Sequence, residues 1–357
     1  MSDKLQLTNR QTNILRLFEW RKKVSSGQLL EALGDSVSIA TLKRDLTMLG
    51  EQGYVVRSGG NKDSEYALTE NGLLHRPFEL GKYYAVPETE RKAILDFNLN
   101  IFTILKLNQI FTAEEMVILD EATKTFKQNA LNANNVIHKK ELERFVIEFS
   151  WKSSKIEGNT YTLLETERLI KEGLKKSDRS EFETSMILNH KKAYEFILEQ
   201  TSGGSLELSR RILETIHSLV VRELDISSGL RKTMVGISGS LYRPLAMVYQ
   251  IEEQLNLLVE CINAKSNPYE KALIAVLGES YLQPFDDGNK RTARVLANGL
   301  LLQAGYAPLS YRSVDEQEYK EACLVFYEQN SIEPFKKLFI DQYVFAANNY
   351  NIAPIDS

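Results

Sequence analysis

One charged stretch, Gln283 to Arg294, constrains this chain of 357 residues more than any other, because apolar runs flank it on both sides. Residues 272–282 precede it and residues 295–302 follow it, and both runs are typical of buried helices. The stretch reads QPFDDGNKRTAR, with two carboxylates, two arginines and a lysine. Charge beside a core is costly unless it is paired or binds a ligand. The pattern therefore predicts a functional loop between two core helices.

The residues of this loop suit a phosphate-rich ligand. Gly288 permits positive φ and a close backbone approach, and Asn289 opens the next helix, whose free N–H groups favour an anion. Arg291 and Arg294 lie three residues apart and can face one side of that helix, where a guanidinium matches a phosphate in a bidentate way. Asp287 is placed to hold a divalent metal beside the phosphates. The residues alone predict a polyphosphate–metal site, with a capped helix carrying surface ion pairs as the alternative.

The same stretch resembles the signature of the Fic family, HxFx(D/E)GNGRxxR. The matching positions are Phe285, Asp287, Gly288, Asn289, Arg291 and Arg294. Two positions depart from the pattern, because Gln283 stands where the family has its histidine and Lys290 stands where it has its second glycine. The segment GNKRTA is similar to the related Doc branch, which generally lacks the last arginine. The chain thus combines features of both patterns.

This resemblance implies a mainly α fold, a Fic-type helical bundle over residues 131–345 with a small β-hairpin flap. It implies ATP as the nucleotide and Mg²⁺ on Asp287. The implied nucleotide-binding residues are Gly288, Asn289, Lys290, Arg291 and Arg294. In Fic enzymes the signature histidine takes the proton of a Ser, Thr or Tyr hydroxyl on a target protein; the hydroxyl attacks the α-phosphate of ATP and receives AMP. The implied catalytic positions are Gln283, Asp287, Asn289 and Arg291.

Gln283 leaves that reaction without its base, because a glutamine amide cannot take a proton near neutral pH. General-base catalysis typically contributes about 10²–10⁴-fold, so its loss without replacement predicts a slow enzyme. Asp286 is a candidate substitute, and the lysine that matches Lys290 accompanies kinase-type transfer of the γ-phosphate in Doc-like proteins. Four outcomes stay open: slow AMP transfer, a different transfer, reverse hydrolysis, or nucleotide binding without turnover.

A second stretch, SSKIEGN at residues 153–159, resembles the inhibitory motif of Fic proteins, (S/T)xxxE(G/N), through Ser153, Glu157 and Gly158. In that family the glutamate pairs with the last arginine of the signature, which here is Arg294. An arginine held by a carboxylate cannot also grip a terminal phosphate, so the resemblance implies self-inhibition. The alternative is a solvated glutamate at a plain helix end, since Gly-Asn makes a good C-cap.

Residues 234–244 interrupt the helical pattern with apolar positions around a glycine, which predicts a short β-hairpin. The edge of such a hairpin can pair with an extended partner segment. The segment resembles the Fic flap, which aligns the target side chain. The implied docking residues are Val235, Gly236, Ile237, Ser238, Gly239 and Tyr242. A plain connecting hairpin is the alternative.

Residues 1–72 predict a separate domain of three helices and a hairpin. Segments 54–57 and 65–68 flank the turn at 58–62, and residues 38–55 form an amphipathic helix and its exit. The arrangement resembles a winged helix-turn-helix of the DeoR type, which implies duplex DNA as a partner. The implied DNA-binding residues are Thr41, Lys43 and Arg44. Residues 1–72 contain ten basic and nine acidic residues, and this small net charge weakens the case for DNA binding. A protein-interaction module or spacer is therefore the alternative.

Residues 73–130 form a linker and a helical connector, with a helix predicted over 90–111. This connector either ties the N-terminal domain to the rest or forms a homodimer contact, and residues 346–357 form a tail. Two cysteines, Cys261 and Cys323, make no disulfide framework and favour a cytoplasmic setting. His190 and His217 are predicted to be structural. No signal core or membrane-spanning run is found, so no membrane partner is expected.

Two functions from different classes follow. The first is a Fic-family enzyme, a nucleotidyltransferase acting on an unidentified protein target and self-inhibited through Glu157. The second is a winged-helix transcription regulator whose Fic body serves as a nucleotide sensor or dimerisation scaffold, an interpretation that Gln283 favours.

Overall fold

The computed structural model describes residues 7–19, 22–34, 37–60, 64–202 and 207–352. The described chain is mainly helical. Its helices are α1 (Asn9–Arg16), α2 (Ser26–Leu33), α3 (Ile39–Glu51), α4 (Glu70–Leu74), α5 (Leu80–Tyr84), α6 (Ile101–Leu107), α7 (Ala113–Leu131), α8 (Asn135–Ile156), α9 (Leu163–Glu172), α10 (Glu181–Ser202), α11 (Arg210–Val220), α12 (Val248–Ala264), α13 (Pro268–Leu282), α14 (Asn289–Gln303), α15 (Glu316–Gln329) and α16 (Glu333–Asn349). Its strands are β1 (Val24–Ser25), β2 (Val55–Ser58) and β3 (Glu65–Leu68).

The chain divides into two compact units. One contains residues 1–96, 237–242 and 321–336, and the other contains residues 97–236, 243–320 and 337–357. The signature loop and the inhibitory motif both belong to the second unit. The predicted domain boundaries after residues 72 and 130 stay predictions.

In the first unit, three short helices and a small sheet enclose an apolar core. Thr8, Ser25 and Ser38 each accept a hydrogen bond from the backbone N–H three residues on, and so they begin α1, α2 and α3. The sheet is antiparallel with strand order β1-β3-β2, and Val55 pairs with Leu68. The predicted hairpin is therefore present; residues 61–63, in and beside its turn, lie outside the described residues. Its short partner β1 was not foreseen.

In the second unit, α13 and α14 are buried along almost their whole length. From Tyr269 to Leu282 every residue except Lys271 is buried, and α14 is buried from Arg291 to Leu302. Helices that are buried on all sides belong to the core of a domain. The prediction of a charged loop between two core helices is thus confirmed.

The helix predicted over 90–111 is wrong for its first half, because only α6, Ile101–Leu107, is helical. The Asn98 side chain accepts a hydrogen bond from the N–H of Asn100. Asparagine competes in this way with helical backbone hydrogen bonds. Before it, the Ile94 N–H donates to the carbonyl of Glu328 at 2.7 Å, a bond that continued helix would not allow.

The hairpin predicted at residues 234–244 is a turn without paired strands in the described chain. The Ser240 N–H donates to Ile237 O at 3.2 Å, and Gly239 has φ of +79°. The Gly239 carbonyl is used elsewhere, as the acceptor for Arg91 at 2.5 Å. This backbone group therefore bonds outside the segment, and no ladder forms within it.

Within the described part of the chain, no helix is both long and apolar enough to cross a membrane.

Candidate functional site

Two residues with left-handed backbone shape the signature loop. Gln283 ends α13 with φ of +50°, and Gly288 precedes α14 with φ of +83°. A Cβ on Gly288 would lie 2.8 Å from Cγ1 of Val221, so position 288 requires glycine for both conformation and space. The loop therefore turns sharply at each end and presents the start of α14.

Asn289 holds the loop together with its side chain. Its Oδ1 accepts from Phe285 N at 2.9 Å, and its Nδ2 donates to Phe285 O at 2.9 Å and to Gln283 Oε1 at 3.0 Å. Gln283 Nε2 donates in turn to Ser280 O at 2.6 Å. The Asn289 side chain is therefore occupied inside the loop, and only its backbone N–H is left for a ligand. The Gln283 side chain therefore connects Asn289 to the end of α13 and does not act as a base.

An open pocket lies at the N-terminus of α14. It is lined by Glu157, Gln283, Asp287, Gly288, Asn289, Lys290 and Arg291. The first N–H groups of an α-helix have no intrahelical partners, and Gly288 provides no side-chain cap for those of α14. Those groups and the helix dipole make the pocket favourable for an anion.

The two signature arginines are buried beside this pocket. Arg294 donates from Nε to Ser153 Oγ at 2.8 Å, from Nη2 to Ser153 O at 2.9 Å, and from Nη1 to Tyr319 Oη at 3.3 Å. Arg291 has only a 3.4 Å contact between Nη2 and Asp287 Oδ2, and its Nη1 has no partner among the described residues. Burial lowers the pKa of Arg291, although the guanidinium stays charged at neutral pH. A buried guanidinium with an unused donor is suited to an anionic ligand.

Glu157, at the end of α8, also lines this pocket. It is the C-cap of α8, and Gly158 follows with φ of +97°. Its Oε1 is 2.8 Å from Arg294 Nη2, and its Oε2 is 3.6 Å from Lys290 Nζ. Burial alone would raise the pKa of Glu157, but the charges of Lys290 and Arg294 outweigh it and bring the pKa down to about 2. The carboxylate is therefore ionised and engaged by two cations.

Asp287 is the residue that could hold a magnesium ion. Its side chain is 60% exposed, and Oδ1 accepts from the Gly288 N–H at 2.6 Å. Magnesium binds through one or two carboxylates together with waters and substrate phosphates, so a single exposed carboxylate beside an anion pocket fits it. No group of three or more His, Cys, Asp or Glu that would bind a metal without a substrate occurs in the described residues.

Two supporting residues, Arg231 and Thr233, escaped the sequence prediction, and for a third, His217, its contact with the loop was not predicted. Arg231 is buried, and it donates to the carbonyls of Gln283 at 2.6 Å and Thr233 at 2.8 Å. Thr233 donates to Asp286 Oδ1 at 2.8 Å, so the candidate substitute base already has a hydrogen-bond donor. His217, predicted to be structural, contacts the loop carbonyl of Asp287 at 2.9 Å. Burial lowers the pKa of His217 to about 4, so the ring is neutral at pH 7.

None of the residues predicted for docking or for DNA is among those that line this pocket. Tyr242 is 2% exposed and packs on Tyr327, so it anchors the turn at 238–239 instead of offering its side chain. Gly236, Ser238 and Gly239 are exposed, while Val235 and Ile237 are half-buried. On α3, Lys43 and Arg44 are exposed and Thr41 is half-buried.

Comparison with known proteins defines the class. Residues 207–301 match the model of the Fic/DOC family. The structure of Fic-1 (aa134–508) from C. elegans superposes with a TM-score of 0.56 at 21% identity, covering 67% of this chain and 71% of that one. A Fic domain containing signaling protein from Bacteroides thetaiotaomicron gives 0.56 at 19% identity, covering 64% and 94%. The chain thus carries a Fic/DOC family domain in a Fic-type fold.

Among relatives, a protein adenylyltransferase Fic of Nematostella vectensis is 27% identical over 210 residues, 56% of this chain and 47% of that protein. A protein adenylyltransferase Fic of Drosophila willistoni is 29% identical over 252 residues, 66% of this chain and 48% of that protein. The chain spans about half the length of these two relatives. Beyond the Fic/DOC domain itself, the chain is thus similar to proteins named as protein adenylyltransferases Fic.

Proposed function

We propose that this chain binds ATP at the N-terminus of α14 and transfers AMP slowly to a hydroxyl of another protein. The observation that carries the proposal is the pocket itself. Arg291, with an unused donor, and the free N–H groups of α14 meet there beside the exposed carboxylate of Asp287. This combination matches a triphosphate, which presents several negative charges in a row.

Each lining residue has a distinct part in this proposal. The backbone N–H groups that follow Gly288 and the guanidinium of Arg291 hold the phosphates, and Lys290 adds a mobile charge. Asn289 keeps the loop in shape through its three hydrogen bonds. Asp287 would hold Mg²⁺, which when bound neutralises phosphate charge. Arg294 would reach the terminal phosphate once its guanidinium is released from Glu157.

The transfer step lacks a strong base. The target hydroxyl would attack the α-phosphorus, the bond to pyrophosphate would break, and the hydroxyl proton would need an acceptor. Both polar ends of the Gln283 amide are already hydrogen-bonded, and an amide does not accept a proton near neutral pH. Positioning and charge neutralisation supply most of the catalysis of phosphoryl-type transfer, so a slow reaction is consistent with this site.

Self-inhibition is part of the same proposal. The carboxylate of Glu157 occupies Arg294 and lies within 3.6 Å of Lys290, so two cations that suit phosphates are held by one acid. We call the contacts of Glu157 with Arg294 and Lys290 the latch. Because the pKa of Glu157 is about 2, the carboxylate stays ionised and the latch is insensitive to mild acidification. Release therefore requires movement of the end of α8, not protonation.

The direct test is incubation of Glu157→Gly protein with ATP labelled at the α- or the γ-phosphate, together with a mixture of proteins. Label on protein from α-labelled ATP alone supports AMP transfer. Label from γ-labelled ATP alone indicates a kinase-type reaction instead. Absence of protein label with both would contradict transfer and leave nucleotide binding only.

The effect of Lys290→Ala on ATP affinity should depend on whether Glu157 is present. In the wild-type chain, Lys290→Ala should tighten ATP binding by roughly 2–5-fold, because a half-exposed ion pair to the latch is worth up to about 1 kcal/mol. In a Glu157→Gly chain the same change should weaken ATP binding, since Lys290 is then free to contact phosphate. Calorimetry on the four variants measures both effects, with Lys124→Ala on α7 as an exposed-lysine control. A change of ATP affinity in the same direction in both chains would contradict the proposal that Lys290 serves both Glu157 and the phosphates.

A second function, binding of duplex DNA, is favoured by the exposed face of α3. Lys43, Arg44 and Thr47 are exposed, whereas the opposite face is buried through Leu42, Leu46 and Leu49. The buried face fixes the helix in the first unit, so the polar face is presented to solvent. An exposed helix face that carries Lys43 and Arg44 suits the major groove.

Arg44→Ala is expected to weaken binding of random duplex DNA and to reduce the salt dependence of log K by about one unit of slope, as loss of one phosphate contact does. Fluorescence anisotropy at several salt concentrations measures this. Arg222→Ala, an exposed arginine in the second unit, serves as the control. If the wild-type chain shows no salt-dependent binding, the DNA-binding proposal is wrong.

A further inference from the structure

The imidazole of His217, on α11, contacts the bend of the signature loop in two ways. Its Nε2 is 2.9 Å from the carbonyl oxygen of Asp287, and its ring stacks on Phe285 with centroids 3.7 Å apart and an interplanar angle of 11°. The residue is fully buried. A carbonyl oxygen only accepts, so Nε2 carries the proton and donates.

The hydrogen bond to the Asp287 carbonyl also fixes the next N–H group. The peptide between Asp287 and Gly288 is planar, so its N–H points away from its carbonyl. That N–H donates to Asp287 Oδ1 at 2.6 Å. The carboxylate of Asp287 is thus oriented by a peptide group whose opposite side His217 holds.

The close packing at Gly288 makes this arrangement sensitive to the ring. Cδ2 of His217 lies 3.5 Å from where a Cβ on Gly288 would stand, and Val220 and Val221 of the same segment fill the space beside it. Gly288 is the N-cap of α14, so the ring packs beside the residue at which that helix begins.

From these contacts we infer that His217 is a positioning residue, which orients the Asp287 carboxylate for a divalent cation through the 287–288 peptide. The inference rests on the proposed function, because the cation is the one expected beside ATP phosphates. Phe285 stacking alone would require only an aromatic ring at position 217. The hydrogen bond to the Asp287 carbonyl adds a requirement for a donor.

The test separates the donor from the ring in the Glu157→Gly background. His217→Phe keeps an aromatic ring and removes the donor, whereas His217→Gln keeps a donor and removes the ring. Calorimetric titration with ATP is run with Mg²⁺ and with EDTA. Loss of an outer-shell partner typically weakens metal binding by about 10–100-fold. His217→Phe should therefore lose about tenfold or more in affinity for MgATP, with little change for ATP in EDTA, and His217→Gln should retain most of it.

Other outcomes overturn the inference. Equal losses with Mg²⁺ and with EDTA would show that His217 supports only the general shape of the loop. Retained MgATP affinity in His217→Phe would show that the ring alone suffices. Thermal unfolding of each variant identifies a folding defect, and His217→Gln decides the question if His217→Phe does not fold. If the Glu157→Gly parent itself binds no ATP, the proposed function fails and this inference falls with it.

Discussion

Replacing Glu157 with glycine is expected to tighten ATP binding by about 10–100-fold. The reason is the loss of competition for Arg294, whose Nη2 is 2.8 Å from Glu157 Oε1. A hydrogen bond to a charged group contributes about 1.5–3 kcal/mol, and each 1.4 kcal/mol corresponds to a factor of ten in affinity. Lys290, 3.6 Å from the other carboxylate oxygen, is released by the same change.

The helix end around Glu157 tolerates this substitution. Glu157 is the C-cap of α8 and precedes a glycine with positive φ, so no helix interior is interrupted. Glu172→Gly is a matched control, because Glu172 also ends a helix before a left-handed glycine, Gly173. Glu157→Gln tests the charge alone, since the amide keeps the shape of the side chain.

The stability of the Glu157→Gly chain should respond in the opposite direction to its affinity. Without ATP, Arg294 is left buried with Ser153 and Tyr319 but without its anionic partner, so unfolding should require less free energy. With ATP at 100 times Kd, binding adds about 2.7 kcal/mol to the free energy of unfolding. Thermal unfolding with and without ATP measures both effects. Equal ATP affinity in wild type and Glu157→Gly would contradict the latch.

Gln283→His, made in the Glu157→Gly chain, is expected to raise the rate of AMP transfer by about 10²–10⁴-fold, the usual contribution of a general base. The loop geometry is retained, because Asn289 keeps both of its hydrogen bonds to Phe285 when the link to Gln283 Oε1 is lost. Arg231 also holds the carbonyl of position 283 whatever its side chain is.

The transfer rate is measured as protein-bound label from α-labelled ATP. Gln283→Ala is the control, because it removes the same amide link and adds no base. A gain in Gln283→His alone shows that the site is complete except for its base. Equal rates in the two variants would show that position 283 does not face the reacting hydroxyl, and its assignment as the position of the general base would then be wrong.

The parts of the site that the sequence predicted correctly are those encoded by local pattern. The apolar runs on both sides of the loop predicted two core helices, and α13 and α14 are those helices. Gly288 has the positive φ that its position required. The contact of Glu157 with Arg294 was predicted only through resemblance to a motif, because no local pattern connects residues so far apart in the chain.

The supporting residues could not be predicted in the same way. Arg231 and His217 contact backbone carbonyls of the loop, and every residue has a carbonyl, so no pairing of side-chain types marks these contacts in the sequence. The contact of Lys290 with Glu157 was missed for another reason. The loop pattern predicts Lys290 as a phosphate donor, and a lysine side chain is also long enough to contact a carboxylate.

The two incorrect predictions have a shared cause in backbone hydrogen bonds. The helix over 90–111 ignored Asn98 and Asn100, whose local bond competes with a helical turn. The hairpin at 234–244 was read from alternation, yet the Gly239 carbonyl bonds to Arg91 instead of to a neighbouring strand. In both cases the apolar pattern did not show which partner the main chain would bond.

The most direct measurement is a crystal structure of the Glu157→Gly chain grown with ATP and Mg²⁺. The triphosphate is predicted to lie along the turn from Gly288 to Arg294, with a phosphate on the N–H groups of α14, Arg294 turned from Ser153 toward the terminal phosphate, and the cation on Asp287. ATP bound elsewhere, or a pocket that contains only solvent at saturating ATP, would contradict the proposal that this loop is a nucleotide site.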